Sequence, residues 1–371
     1  MNNKDKTHKD TALDIWADFC DQLKETGIEV LEQSFSDTEL NQAEGLRYLT
    51  RLLRNGLEFK LEGAHTDYPQ LLSYAHETIK MGADNPDIRY LNCNVSAQCC
   101  YKIRGTRGSV HQLNLSTHSG GYGDDSALLL SGALASEDLL VGDDGWIEIL
   151  VSIEPQPGNW LPMSKESSLL IIRQIFLDRD KEQAASLSIH RLDSKDAIAH
   201  ELTLNEVKQG LSDACASVKG TAELFTQWAS TWLPHSNALP LADQQYCQDL
   251  GGDPQITYYH SHWAISHDDA LVITLPRVPE CRNWNVQINN VWMESLDYRY
   301  HRIHFNKHTA TMNEDGSVTM ILAHRDPKCS NWLHTTGHID GTMCFRWVGI
   351  DADDIVHPQV TRCRLDDLAK L

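Results

Sequence analysis

The chain has 371 residues, of which 41% are hydrophobic and 23% charged, and it carries ten tryptophans. That is ample material for a packed core, and it excludes a disordered, collagen-like or coiled-coil chain. Lys and Arg total 32 against 52 Asp and Glu, a formal charge of −20. Nucleic acid is therefore not expected as a general partner, because phosphate binding needs a basic face that displaces counterions.

The ten Cys form no CxxC or finger spacing. The opening MNNKDKTHKD has no apolar h-region of a secretory signal. Apolar runs such as Leu169–Ile172 fall far short of the ~20 residues a membrane span requires. Reduced thiols in a cytoplasmic protein, away from membranes, are the expectation.

Residues 1–84 read as an N-terminal helical segment, with 1–10 frayed. Leu13, Trp16, Cys20 and Leu23 fall at helical spacing. Ser36-Asp37-Thr38-Glu39 reads as a capping box that opens a second helix, with Leu40, Ala43, Tyr48, Leu49, Leu52 and Leu53 as its apolar stripe. Glu44 and Arg47 stand at i, i+3, a spacing that permits an ion pair. Residues 85–200 read as a first β region. Alternation runs through 87–118, and further strands are predicted over 126–134, 146–153, 168–178 and 185–192. Gly120–Gly123 lacks the context of a phosphate loop.

A helical insert and linker follow over 201–255. Thr203-Leu204-Asn205-Glu206 is a capping box, and the helical pattern behind it has a candidate break near Gly220. Residues 256–371 form a second, jelly-roll-like β region, with strands over 256–264, 270–276, 284–293, 300–305, 317–324 and 342–349. Asn313-Glu314-Asp315-Gly316 reads as a hairpin turn. The fold class is α+β and mainly antiparallel β: sandwich or jelly-roll-like sheets with N-terminal helices and a helical insert. Asn159-Trp160-Leu161 and Asn331-Trp332-Leu333 echo one another, and a third Asn-Trp sits at 283–284. A dipeptide cannot define a repeat, so coincidence is expected rather than duplication.

The densest polar cluster runs from His324 to His338, between two apolar strands. It offers imidazoles, a guanidinium, a carboxylate, an amide and an indole, a kit for proton transfer and anion stabilisation. His324 or His338 would move a proton, Asp326 would orient it and Arg325 or Arg346 would stabilise negative charge. Asn331 and Trp332 would line the site. The scaffold alternative is that Asp326, Asn331 and Thr335 serve turns and caps. A second polar stretch offers Asn289, Trp292, Glu294 and Tyr298, the last as a proton donor or base. Arg104, Arg173 and Arg346 sit in strand-like runs. An unpaired charge there is costly, so Arg173 is expected to pair with an acid such as Asp178 or to bind an anion. Ten of the 18 His lie from 260 onward, and His260-Ser261-His262 would present both rings on one strand face. No recognised metal spacing or cofactor motif is present, and no nucleophile elbow.

Several motifs resemble the DUF1214 family of bacterial proteins, which often occurs with a DUF1254 partner domain. They are Asn85-Pro86-Asp87 with Arg89-Tyr90, Tyr101–Gly105, Pro157–Leu161 and Arg173–Asp178. Further on come Trp292 with Glu294–Tyr298, Asn306, Asp315-Gly316, Ala323–Pro327, Asn331-Trp332-Leu333, Thr335, Gly337-His338, Gly341 and Phe345-Arg346-Trp347. Together they cover about residues 85–350 in order. The chain departs from the family pattern at His334, where an acidic residue is expected. The resemblance implies a β-rich fold with a jelly-roll-like C-terminal part, and no particular reaction.

The expected function is cofactor-independent proton-transfer chemistry, of lyase, isomerase or hydrolase type, on a polar or anionic small molecule or a saccharide. The alternatives are a non-catalytic ligand-binding or accessory protein, and an enzyme with a His-ligated metal.

Overall fold

Helix α1 (Ala12–Glu32) opens on Thr11, whose hydroxyl accepts from the Asp14 N–H while the Asp14 carboxylate accepts from the Thr11 N–H. This is a computed structural model, and it describes residues 10–122, 127–192 and 201–370. The predicted frayed end up to residue 9, Gly123 of the glycine turn, position 126 of a predicted strand and the 193–200 boundary fall outside the described residues. The helix is where its spacing predicts, but it buries a different face. Ile15, Phe19, Thr26 and Val30 point inward, while Leu13, Trp16 and Cys20 are exposed. The segment carries two adjacent apolar lines at helical spacing. Packing of Ile15 and Phe19 against Leu211 and Cys215 selects one of them.

Helix α2 (Glu39–Leu57) is capped by Thr38 rather than by Ser36. Its buried face mixes Tyr48 and Leu52 with Asn41, Glu44, Arg51 and Asn55, and Ala43 is exposed. A π-helical turn over Glu58–Glu62 and the short strand β1 (Leu72–Ser73) follow. Helix α3 (Leu204–Ser230) carries the predicted Thr203–Glu206 capping box and runs unbroken through Gly220. A single helical glycine costs only about 1 kcal/mol, less than the packing of this helix returns. Helix α4 (Gln244–Asp249) is a short turn before the second β region.

The first β region contains β2 (Ile88–Asn94), β3 (Tyr101–Thr106), β4 (Gln112–Ser119), β5 (Leu129–Leu134), β6 (Trp146–Ser152), β7 (Trp160–Pro162), β8 (Leu169–Ile175) and β9 (Ser186–Arg191). The second contains β10 (Ile256–Ala264), β11 (Asp269–Leu275), β12 (Asn283–Asn289), β13 (His304–Asn306), β14 (Val318–Ala323), β15 (Trp332–His334), β16 (Asp340–Val348) and β17 (Gln359–Arg364).

One sheet of the first region runs β1-β2-β8-β4-β5 and the other β7-β6-β3-β9. In the second region the orders are β10-β16-β12-β13 and β15-β14-β11-β17. Apart from the added β1, the second pair of sheets repeats the first strand for strand. All pairings are antiparallel except β6 with β7 and β14 with β15.

The Asn-Trp-Leu echo is thus a structural repeat, not a coincidence. Asn159 donates to the carbonyls of Leu140 and Glu148 and accepts from Leu140 N–H. Asn331 does the same with Thr311 and Thr319. Trp160 Nε1 donates to Ser152 O, and Trp332 Nε1 to Ala323 O. The Asn-Trp at 283–284 lies on β12 and plays no such part. Asn313–Gly316 is a turn, with Gly316 left-handed, but β13 and β14 belong to different sheets, so it closes no hairpin.

Each sandwich holds its own core. Ile103, Leu113, Ile149, Leu170 and Ile172 centre the first, and Trp263, Trp284, Leu322, Phe345 and Trp347 the second. Burial of such side chains contributes about 1.5–3 kcal/mol each. A third apolar cluster joins α2 and α3 to Val291, Trp292 and Met293. Among the described residues no helix is long and apolar enough to cross a membrane.

Candidate functional site

Between the two sandwiches and the helices lies a cavity of about 340 Å³. Its walls include Phe59, Tyr74, Met81, Phe225 and Trp228, and its polar lining centres on Tyr90, Arg173, Tyr258 and Arg346. These four follow from the sheet register. Arg173 on β8 stands opposite Tyr90 on β2 and Asn114 on β4. Arg346 on β16 stands opposite Tyr258 on β10 and Asn285 on β12. The duplication therefore brings one Arg–Tyr pair from each half to the same cavity.

The supports of the two pairs repeat as well. Arg173 donates to Ser116 Oγ and to the Gly251 carbonyl. Arg346 donates to Gln287 Oε1 (2.6 Å), to Asn285 Oδ1 and to the Ala83 carbonyl (2.7 Å). Each guanidinium thus holds a carbonyl from the segment that leads into the other half. Ala83 and Gly251 are equivalent positions, and both are left-handed, at φ 55° and 83°. Ala83 adopts this conformation despite its Cβ. The Tyr90 hydroxyl oxygen accepts from Asn85 N–H, and the Tyr258 oxygen from Asp253 N–H. Both phenol hydrogens are left without an acceptor among the described residues.

Neither guanidinium meets a carboxylate among the described residues. For Arg173 the expected Asp178 partner is engaged elsewhere, with Lys181 and His308. Two residues along from each Tyr stands another polar side chain of the lining, Asn92 on β2 and His260 on β10. Both are buried, and among the described residues Asn92 Oδ1 and both ring nitrogens of His260 have no partner. His260 stacks on Trp232 at 4.7 Å and on Tyr258 at 5.9 Å. Burial, reinforced by the Arg346 charge, pushes its pKa down to about 3, so the ring is neutral. Asp84 also lines the cavity. Its oxygens accept from Ser295 N–H and Oγ–H, and burial pushes its pKa up despite Lys80.

Of the residues singled out from sequence, Arg173, Arg346 and the histidine-pair member His260 line the cavity. The polar stretch from 289 to 346 does not converge on one place. Arg325 is exposed and pairs with Asp268, and Asp326 pairs with Lys328. His324 lies against Ile265 O and Thr335 Oγ1, and Asn331 and Trp332 hold backbone carbonyls. Arg104 is exposed on β3. Tyr298 is half-buried beneath the Lys80 ammonium, 4.6 Å from its ring centroid, and burial raises rather than lowers its pKa. Asn289 bonds Thr342 and Gln287 within the sheet.

A second set forms a buried polar network under α2. Arg51 Nη1 donates to Glu294 Oε1 at 2.5 Å, and Asn290 bridges Glu294 and Glu44. His338 Nε2 lies 2.7 Å from Glu44 Oε2, and Trp292 Nε1 donates to Asn41 O. Burial raises the Glu294 pKa although Arg51 opposes it. For Glu44 burial is outweighed by His338, Asn290 and Arg47, and its pKa is lowered. This network docks the helices onto the second sandwich.

His260 and His262 share a strand face, but His262 turns to Ser236 Oγ and Phe35. His334, at the position where an acid was expected, stacks on His301 at 4.8 Å. Among the described residues no three His, Cys, Asp or Glu side chains are placed to hold a metal ion.

Sequence reasoning misses Tyr90, Tyr258, Asn92 and Asp84 as site residues, and it raises His260 only as half of a metal-binding pair. Their signal is there: Asn85-Pro86-Asp87-Ile88 with Tyr90 recurs as Asp253-Pro254-Gln255-Ile256 with Tyr258. The Asx turns recur too, Asp87 N–H to Asn85 Oδ1 and Gln255 N–H to Asp253 Oδ1.

Fold and cavity together define a duplicated β-sandwich protein with one basic, tyrosine-lined chamber between its halves. Residues 264–349 match the family described as protein of unknown function (DUF1214). The crystal structure of an uncharacterised protein from Burkholderia cenocepacia is 46% identical and superposes with a TM-score of 0.92, covering 96% of this chain and 98% of that one. The chain belongs to the DUF1214 family. A Vibrio parahaemolyticus protein of known structure is 11% identical, with a TM-score of 0.47 over 93% of this chain and 99% of its own. No curated protein matches the chain.

Proposed function

We propose that this protein binds a small anionic molecule in the cavity between its sandwiches. One observation carries the proposal: the buried guanidinium of Arg346 and the half-buried one of Arg173 face the same chamber, and among the described residues both are held by neutral oxygens. A buried charge without a counter-charge is costly, and an anionic ligand supplies what the described side chains lack. The apolar and aromatic walls suit the body of such a ligand. The ligand needs no resident cofactor, and the ten free thiols suit a reducing compartment such as the cytoplasm.

The test is a thermal-shift and calorimetric panel of small carboxylates, phosphates and neutral sugars. Anions are expected to raise the melting temperature of the wild type and to leave the Arg173→Gln/Arg346→Gln double variant unmoved. Equal response of both proteins to every anion overturns the proposal.

Proton transfer is the second function the cavity supports, carried by Asp84. It is the acidic group in the described lining, and burial holds its pKa above the ordinary value for an aspartate. A carboxyl so tuned beside anion-holding arginines has the makings of a general acid. Once a ligand is known, product analysis with wild type and Asp84→Asn decides. Turnover that the variant lacks supports catalysis, and an unchanged ligand leaves binding alone.

A further inference from the structure

The anion's own charge can be read from how the duplication arranges its donors. Arg173 with Tyr90 and Arg346 with Tyr258 are equivalent pairs, related by the local twofold of the repeat. Arg173 holds the carbonyl of Gly251, two residues before the Asp253 N–H that binds the Tyr258 oxygen, and Arg346 holds that of Ala83, two residues before the Asn85 N–H that binds the Tyr90 oxygen, so each guanidinium reaches to the other pair's side of the chamber. Each guanidinium has five N–H donors and spends two or three on the protein. Each phenol retains its O–H donor. The centre is therefore ringed by donors, and its two guanidiniums supply two positive charges, with the Lys60 ammonium and the Asp84 carboxyl also on the lining. A carboxylate, with one charge and two oxygens, would leave one guanidinium uncompensated. A phosphate monoester, with a charge near −2 and three terminal oxygens, matches both counts.

The flanks point to the rest of the molecule. Among the described residues Asn92 Oδ1 is a buried acceptor without a donor, and the neutral His260 ring offers one donor and one acceptor, both unused. Such atoms are paired when a ligand brings hydroxyl groups.

Resting on the anion-binding function, we propose that the ligand is the phosphate monoester of a small hydroxylated compound. Its phosphate sits on the local twofold, and Arg173 and Arg346 hold it jointly. The carbon skeleton lies along Asn92 and His260. The asymmetry of these two flanks, and of Asp84 on one side against Gly252 on the other, fixes one of the two orientations that the twofold alone would permit.

Titration calorimetry tests this with four probes: inorganic phosphate, a hexose phosphate, the parent hexose and a monocarboxylate such as acetate. The hexose phosphate is expected to bind most tightly, and the parent hexose at least a hundredfold more weakly. Arg173→Gln and Arg346→Gln are each expected to weaken the hexose phosphate by roughly ten- to a hundredfold and to a similar degree. Tyr90→Phe and Tyr258→Phe remove one O–H each with little change in volume, and are expected to cost a smaller, matched loss. Circular dichroism and melting curves establish that each variant is folded. Binding of the monocarboxylate as tightly as the phosphates, or dependence on only one arginine, overturns the joint dianion site while anion binding stands. If no anion of any class binds the folded wild type, the anion-binding function itself falls.

Discussion

The two sandwiches share a strand order and an Arg–Tyr pair, yet they are attached to the helices by different chemistry. The first half meets them through neutral hydrogen bonds. Asn94 donates to Phe59 O and Gly63 O, and Asn55 to Tyr74 O. The second half meets them through charge: Arg51 with Glu294, and His338 with Glu44. The turn Asn290–Leu296 behind β12 carries this ionic patch together with Trp292, and it is buried throughout. The Arg–Tyr pairs that the halves share face the chamber, and the ionic patch that the second half alone carries faces the helices. Cavity chemistry and structural docking are thus written on separate parts of one repeat.

This contrast is open to attack, most forcefully at Arg51. Arg51→Ala leaves Glu294 buried without its cation, and the expected loss is about 3–5 kcal/mol in urea unfolding. Asn94→Ala, on the neutral side, should cost about 1–3 kcal/mol. Equal losses would erase the distinction between the two attachments.

A smaller effect probes what the halves share. Asn159→Ala and Asn331→Ala each remove one amide that satisfies three backbone groups. Each should cost about 1–3 kcal/mol, and the two values should agree. A large cost at one and none at the other would mean that the repeated geometry is not a repeated energetic device.

The smallest effect concerns acid. In the folded state His338, Asn290 and Arg47 outweigh burial and hold the Glu44 carboxyl below its ordinary pKa of 4.5. Its contribution is therefore complete above about pH 4.5 and is lost as pH falls through the folded value. Glu44→Gln should cost on the order of 1 kcal/mol at neutral pH. It should also flatten the loss of stability below pH 4.5 measured by denaturant titration at stepped pH. A slope as steep as the wild type's would place the acid sensitivity elsewhere.

Much of this architecture is legible in the chain. Alternation located the strands that are long and half-buried, and the Thr203–Glu206 capping box marked the start of α3. The three-residue strands β7 and β15 are too short to alternate, so alternation does not report them. On α1 two apolar lines compete, and only the partner surface decides between them. The site was half legible. Arg173 stood out because a lone guanidinium in Leu-Leu-Ile-Ile-Arg-Gln-Ile-Phe has to be satisfied somehow. The 324–338 cluster stood out for its density of functional groups, yet the chain spends those groups on turns, surface pairs and helix docking. Density along a sequence is not density in space. Tyr90 and Tyr258 act through register across neighbouring strands, which composition does not report. The repeated Asn/Asp-Pro-x-Ile-x-Tyr pattern does report it once the two copies are aligned.

The crossed grip, in which each arginine holds a carbonyl from the approach to the opposite sandwich, has a historical implication. Two separate copies of the ancestral unit, facing one another about a dyad, would make the same reciprocal clasp across an isologous interface. Fusion of two such copies into one polypeptide would preserve the clasp while freeing each copy to diverge. Asp84 opposite Gly252, and Asn92 opposite His260, are the kind of difference that a strictly symmetric homodimer cannot encode.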